Sequence, residues 1–166
     1  MLSTNDIDKK ATTLLQDVFG SIGSLKLPVD LNEVALYCNL TVKQGDFKDA
    51  DIEGALDRSS NTVYLSEHDT HDRKNFTLAH EIGHLKLHQD VNTELFFMHQ
   101  LADLLIPGGD EKEAAADEFA AALLIPAQSL KALWKVNKSV IDLAGIFDVP
   151  TTVMRYRIKT LKLKSD

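Results

Sequence analysis

The chain has 166 residues, 44% of them hydrophobic, with only 8 Gly and 4 Pro, which is enough for one domain with its own core and too little for two large ones. Its net charge is -7, but residues 1–149 carry -11 and residues 150–166 carry +4, and an acidic body of that kind disfavours broad nucleic-acid binding. No run of about 18 apolar residues occurs, FAAALLIPA at 119–127 being the longest candidate, so a membrane-spanning helix is excluded.

At the start, MLSTNDIDKK mixes acids with bases and has no apolar run behind it, so it does not read as a secretory signal. With a single cysteine, Cys38, the chain is expected to be cytoplasmic. Ile7, Ala11, Leu14, Leu15 and Val18 recur at helical spacing and predict an amphipathic helix ending at Gly20. In PVDLNEVALYCNL, Asp30 with Glu33 three residues on forms a capping-box pattern ahead of a short helix that turns Leu31, Val34 and Ala35 inward. Cys38 falls in that apolar pattern and reads as a small buried hydrophobe rather than a nucleophile. TVKQGDF (41–47), IEGALD (52–57) and TVYLS (62–66) are short, partly alternating segments with RSSN as the turn between the last two, and they predict a small antiparallel three-stranded sheet. From residue 75 onward the chain reads helical, with breaks at PGGD (107–110), at Pro126 and between Asp148 and Pro150. The fold class is therefore α+β.

Half of the six histidines are candidates for one site, because TLAHEIGHLKLH (77–88) sets His80, His84 and His88 at steps of four around Glu81. HEIGH matches HExxH. Residues four apart share a helix face, so the imidazoles of His80 and His84 can reach one metal ion, while Glu81, about 100° round the helix, stands beside it as a base. The plain alternative is a solvated helix face that carries two histidines. Gly83 counts against it, since a mid-helix glycine costs about 1 kcal/mol relative to alanine and implies a close approach to the backbone.

A zinc protease needs a third protein ligand and keeps the fourth position for water. The HExxHxxGxxH pattern fails, because Leu87 and Asp90 stand where it requires glycine and histidine. A glutamate from a later helix is the other route, and EKEAAADEFAAALLIP (111–126) supplies one. Its Glu113 and Asp117 lie one turn apart, so Glu113 can ligate while Asp117 accepts the outer N–H of a metal-bound histidine. Otherwise these acids solvate the outer face of an alanine-rich helix.

NFTLAHEIGHLKLH followed by ExxAD-E-FAAALLIP resembles the ImmA/IrrE family of zinc metallopeptidases, whose pattern is FTxAHExGHxxLH and then ExxA(N/D)xFAxxLLMP. The resemblance continues into IDLAGIFDVPTTVMRYRIKTL and covers roughly residues 28–163, with the two motif blocks far more specific than the flanks. Two departures leave the metal chemistry untouched: Asn75 stands where a basic residue is common, and Ile125 replaces the usual Met. The resemblance implies Zn²⁺ held by His80, His84 and Glu113, with Glu81 as catalytic acid/base. It implies hydrolysis of a peptide bond by a zinc-activated water, in a protein substrate such as a helix-turn-helix repressor or an antitoxin, in the setting of mobile elements, phages or stress responses. His88 recurs in that family as a helix-end residue. An oxyanion donor is also expected, for which His88, Tyr64, His68, His71 and His99 are unranked candidates.

The implied organisation is a zincin-like domain over residues 1–136, with a C-terminal helical pair at 137–166 packed on it. Leu143, Ala144, Phe147 and Val149, then Met154, Ile158 and Leu161, give this pair its apolar faces, and Ser139 with Asp142 can cap its first helix. The pair resembles a helix-turn-helix whose second helix shows Arg155, Arg157, Lys159, Lys162 and Lys164. A solvated face accounts for such a run without a ligand, and direct nucleic-acid binding is not expected. Two other functions therefore stand beside the peptidase: an anti-repressor or antitoxin-binding module without proteolysis, and a DNA-binding regulator that uses these helices.

Overall fold

The computed structural model describes residues 2–49, 51–89, 95–99 as backbone, and 110–164. Helix α1 (Thr4–Phe19) opens on a capping box, in which the Ser3 hydroxyl accepts from the Asp6 amide and the Asp6 carboxylate accepts from the Ser3 amide. It buries Ile7, Ala11, Leu14 and Leu15, as the spacing predicts, and stops at Gly20, whose φ of 84° a side chain would strain. Helix α2 (Leu31–Tyr37) is capped by Asp30, which accepts from the amides of Asn32 and Glu33, and it buries Leu31, Val34 and Ala35. Cys38 is half-buried against the core, and burial raises its thiol pKa, which keeps it a protonated hydrophobe.

Strands β1 (Thr41–Gly45), β2 (Ile52–Asp57), β3 (Thr62–Ser66) and β4 (Leu95–His99) form one sheet in the order β1-β3-β2-β4. Two expectations are corrected here. The sheet is mixed rather than antiparallel, since β1 runs parallel to β3 while β2 is antiparallel to β3 and β4. The turn at RSSN makes a hairpin of β2 and β3, and β1 joins the far side of β3, so two reversals leave β1 and β3 pointing the same way. The sheet also has a fourth strand, in a stretch that reads helical from its pattern. A short apolar run such as LFFMH fits a strand or a buried helical turn equally well, and pairing with the edge of β2 decides between them. Of the expected break at PGGD, residues 107–109 lie outside the described residues, and Asp110 caps the next helix by accepting from the Lys112 amide.

Helix α3 (His71–Leu87) crosses the sheet over β2 and β3, and α4 (Glu111–Leu124) packs against α3 and α1. Every residue of α3 from Phe76 to His84 is buried, so the histidines of HEIGH lie inside the molecule and not on a solvated face. Two glycines permit these close packings. A Cβ at Gly54 of β2 would collide with the Thr77 methyl of α3, and a Cβ at Gly83 would lie 3.1 Å from the Ala116 carbonyl oxygen of α4. The glycine in the middle of the metal helix is therefore where the backbone of α4 comes near.

Helix α5 (Ala127–Trp134) starts after Pro126, and α6 (Val140–Phe147) is capped by the Ser139 hydroxyl, which accepts from the Asp142 amide. Asp148, with φ 51°, ends α6, and α7 (Thr151–Thr160) follows Pro150. Leu143, Phe147, Val153 and Met154 of this pair share one hydrophobic cluster with Leu15, Phe76 and Phe119. One cation of the expected basic face is not on the surface. Arg157 is 1% exposed, donates to the Ile125 carbonyl and pairs with Asp8, while Tyr156 donates to Glu118 of α4. A guanidinium so deep is tolerated because it is paired, and it ties α7 to α1 and to the end of α4. Arg155, Lys159, Lys162 and Lys164 remain exposed. Among the described residues, no helix is long and apolar enough to cross a membrane.

Candidate metal centre

His80 and His84, one turn apart on α3, aim their Nε2 atoms at one point, 2.9 Å from each other. Glu113, in the first turn of α4, sets Oε2 3.2 Å from His80 Nε2 and Oε1 3.2 Å from His84 Nε2. The ligand atoms of these three residues lie within 4.8 Å of one another, and among the described residues they are the group that could hold a metal ion. In a tetrahedron with bonds of about 2.0 to 2.1 Å, donor atoms stand about 3.3 Å apart. Spacings of 2.9 and 3.2 Å therefore suit one small divalent ion.

The far sides of both rings are also held. His80 Nδ1 lies 2.7 Å from Asp117 Oδ1, so Nδ1 keeps its proton, and Nε2 is the nitrogen that offers a lone pair inward when the ring is neutral, as a metal ion requires. His84 Nδ1 lies 3.1 Å from His88 Nδ1. For His84 Nε2 to offer a lone pair, its Nδ1–H must donate to His88, which then accepts as a neutral imidazole. Burial lowers the His88 pKa to about 4 and keeps it neutral. His88 stands at the end of α3, the helix-end place the sequence offered for it, and its Nδ1 meets that of His84.

Burial penalises the His80 cation, but hydrogen bonds to Asp117 and Glu113 and the charge of Glu81 outweigh it and raise its pKa to about 10. Burial would raise the Glu113 pKa, yet its bonds to His80 and His84 pull it well below the usual carboxylate range. His84 is lowered, chiefly by burial. Glu81 has 0% exposure, and among the described residues neither of its carboxylate oxygens has a hydrogen-bond partner. Burial pushes its pKa up to about 8. A cation among the three donors fits this imbalance, because it supplies the positive charge that the Glu81 carboxylate lacks and takes the place of the His80 proton.

The other expected oxyanion donors are not brought to this point. Tyr64 opposes Lys43 and Ala55, and alternation sets it on the sheet face away from Val63 and Leu65, hence away from α3. His68 is exposed beside Asp46, at 3.2 Å. His71 Nδ1 lies 2.5 Å from Asp148, nine residues before His80 and so about 13 Å back along the helix axis. The side chain of His99 lies outside the described residues. Asn75 joins His71 in donating to Asp148.

No curated protein matches this sequence. Among solved structures, a Mycobacterium tuberculosis transcriptional regulator is similar, with a TM-score of 0.66 and 15% identity over 93% of this chain and 46% of that one. The chain thus spans less than half of that regulator's length, and at such identity the likeness is one of fold. The description of the IrrE N-terminal-like domain, Peptidase_M78, matches residues 30–159. With most of its length inside that match, and with a His-His-Glu group able to hold a metal, the chain belongs to the Peptidase_M78 family of metal-dependent peptidases.

Proposed function

We propose that this protein is a zinc endopeptidase whose substrate is a helix-turn-helix transcriptional repressor or an antitoxin of similar build. The observation that carries the reading is Glu81, a fully buried carboxylate whose two oxygens have no hydrogen-bond partner among the described residues, next to His80 of the group of two imidazoles and a carboxylate. Two histidines and one glutamate are a donor set used by zinc peptidases, which leaves a fourth position open. Zn²⁺ held there by His80, His84 and Glu113 would supply Lewis acidity, making water a better nucleophile and a carbonyl a better electrophile.

The chain's own residues do the rest. Glu81 takes the proton of the attacking water on a carboxylate oxygen and returns it to the departing amine nitrogen. Asp117 and His88 hold the proton positions of His80 and His84, so that both Nε2 lone pairs face inward. The two rings are buried in the packing of α3, while Glu113, 44% exposed, faces the side from which water and substrate enter.

Support for a regulator as substrate comes from the motif resemblance. The fold neighbour's title of transcriptional regulator agrees with that setting. The test is to incubate the zinc-loaded protein with candidate helix-turn-helix repressors and antitoxins. One defined cleavage, absent after zinc removal and restored by zinc, is expected. An intact partner under conditions where zinc is bound would overturn the assignment.

A further inference from the structure

We propose that Arg58 is a positioning residue of the metal centre, a clamp on the end of α3 that holds His88 where it orients His84; the zinc arm of this inference rests on the reading above. Arg58 belongs to the turn between β2 and β3, where the sequence shows no more than a turn signal. That turn is stiffened from within. Asp57 Oδ1 accepts from the Ser59 amide at 2.9 Å and the Ser59 hydroxyl at 2.6 Å, and Oδ2 accepts from the Ser60 hydroxyl at 2.7 Å. Asn61 closes it with φ 49°. The Arg58 side chain therefore leaves a fixed platform.

From there one guanidinium nitrogen donates to the His84 carbonyl at 2.7 Å and to the His88 carbonyl at 3.0 Å. Helix α3 ends at His88 with φ -119°, where the His84 carbonyl already accepts from the His88 amide at 3.1 Å, and Arg58 adds a second donor to that carbonyl and one to the His88 carbonyl beyond it. A cation at this end also meets the negative pole of the helix dipole. The two carbonyls belong to the same two residues whose rings meet through Nδ1, 3.1 Å apart. Fixing both carbonyls to one nitrogen fixes the last turn, and with it the acceptor that keeps the His84 proton on Nδ1 and its Nε2 lone pair inward. Without Arg58 the final turn is free to open, His88 leaves its place, and the His84 ring loses the contact that sets its tautomer.

The test uses the full chain with Arg58→Ala and Arg58→Lys. Imidazole nitrogen NMR and amide exchange are measured on the metal-free protein, and zinc affinity by competition with a chelator. In Arg58→Ala, exchange of the Leu87 and His88 amides should rise about tenfold or more, since the last turn opens more often. The single His84 tautomer should be lost, and zinc affinity should fall about 10 to 100-fold, the usual effect of removing an outer orienting group. Arg58→Lys, which keeps a charged donor, should recover most of both. An Arg58→Ala protein that melts lower but keeps wild-type amide protection, one His84 tautomer and unchanged zinc affinity would overturn the proposal and leave Arg58 a staple between turn and helix. Should Arg58→Ala fail to fold, Arg58→Gln, which keeps a donor without the charge, is judged by the same three readouts. A wild-type protein that binds no zinc counts against the zinc reading alone, and the tautomer and exchange data still decide the role of Arg58.

Discussion

Asp117 Oδ1 stands 2.7 Å from His80 Nδ1, across the ring from the Nε2 atom that faces Glu113. That contact makes the sharpest difference between a structural acid and one that serves the metal. Asp117→Ala should cost about 10 to 100-fold in zinc affinity, and Asp117→Asn less, because its amide oxygen still accepts from Nδ1. Chelator competition measures both. Wild-type affinity in Asp117→Ala would return Asp117 to the solvated side of its helix.

Glu113 is the proposed third donor, which the HExxH motif cannot supply, and it comes from the first turn of a different helix. Glu113→Ala should abolish tight zinc binding while leaving circular dichroism nearly unchanged, since alanine is a strong helix former. Zinc that stays bound in this variant against the same chelator would remove Glu113 from the ligand set.

Gly83 gives a test in which two effects oppose each other. Alanine favours a helix interior by about 1 kcal/mol over glycine. Here its Cβ would sit 3.1 Å from the Ala116 carbonyl oxygen and 3.2 Å from the Ala116 Cα, backbone atoms that cannot rotate aside. The strain should win, with a net loss of about 1 to 3 kcal/mol, the usual cost of overpacking. Because α4 must move outward and carries Glu113, zinc affinity should fall as well. Urea unfolding and chelator competition test the two halves, and a Gly83→Ala protein more stable than wild type would contradict the close approach.

Metal uptake should release protons. With its pKa raised to about 10, His80 is protonated in the metal-free protein at neutral pH, and the ion must displace that proton. Zinc affinity should therefore rise with pH through the neutral range. Calorimetry at pH 7.5 in buffers of different ionisation enthalpy should find about one proton or more released per zinc. Zero release would show that His80 is already neutral.

Much of this was legible in the sequence where the signal is local. Asp30, Ser139 and Gly20 announce helix ends through their own side-chain chemistry or lack of it, and the helical spacing in HEIGH is enough to bring His80 and His84 together. Glu113 and Asp117 came with their helix, because one turn separates a ligand from a partner of the neighbouring histidine. What was not legible depends on partners distant in the chain. No pattern in TVKQGDF says that β1 lies parallel to β3, and nothing in LFFMH separates a strand from a helical turn until the edge of β2 is there to receive it. Arg157 reads as one of five solvated cations, yet Asp8, from the other end of the chain, is the partner that lets it be buried. Arg58 is likewise visible only once the end of α3 is placed against the β2–β3 turn.

The central claim is that the protein cuts its partner rather than merely gripping it, and Glu81 isolates that step because it is placed beside the ligand group without belonging to it. Glu81→Gln keeps the size of the side chain but cannot accept a proton from water at neutral pH. The decisive measurement is zinc content together with cleavage of the candidate repressor and derepression in cells, wild type against Glu81→Gln. Full zinc occupancy with cleavage reduced by about 10² to 10⁴-fold or more, and derepression lost with it, is the expected result. Derepression by Glu81→Gln equal to that of wild type would contradict the account and make binding alone the function.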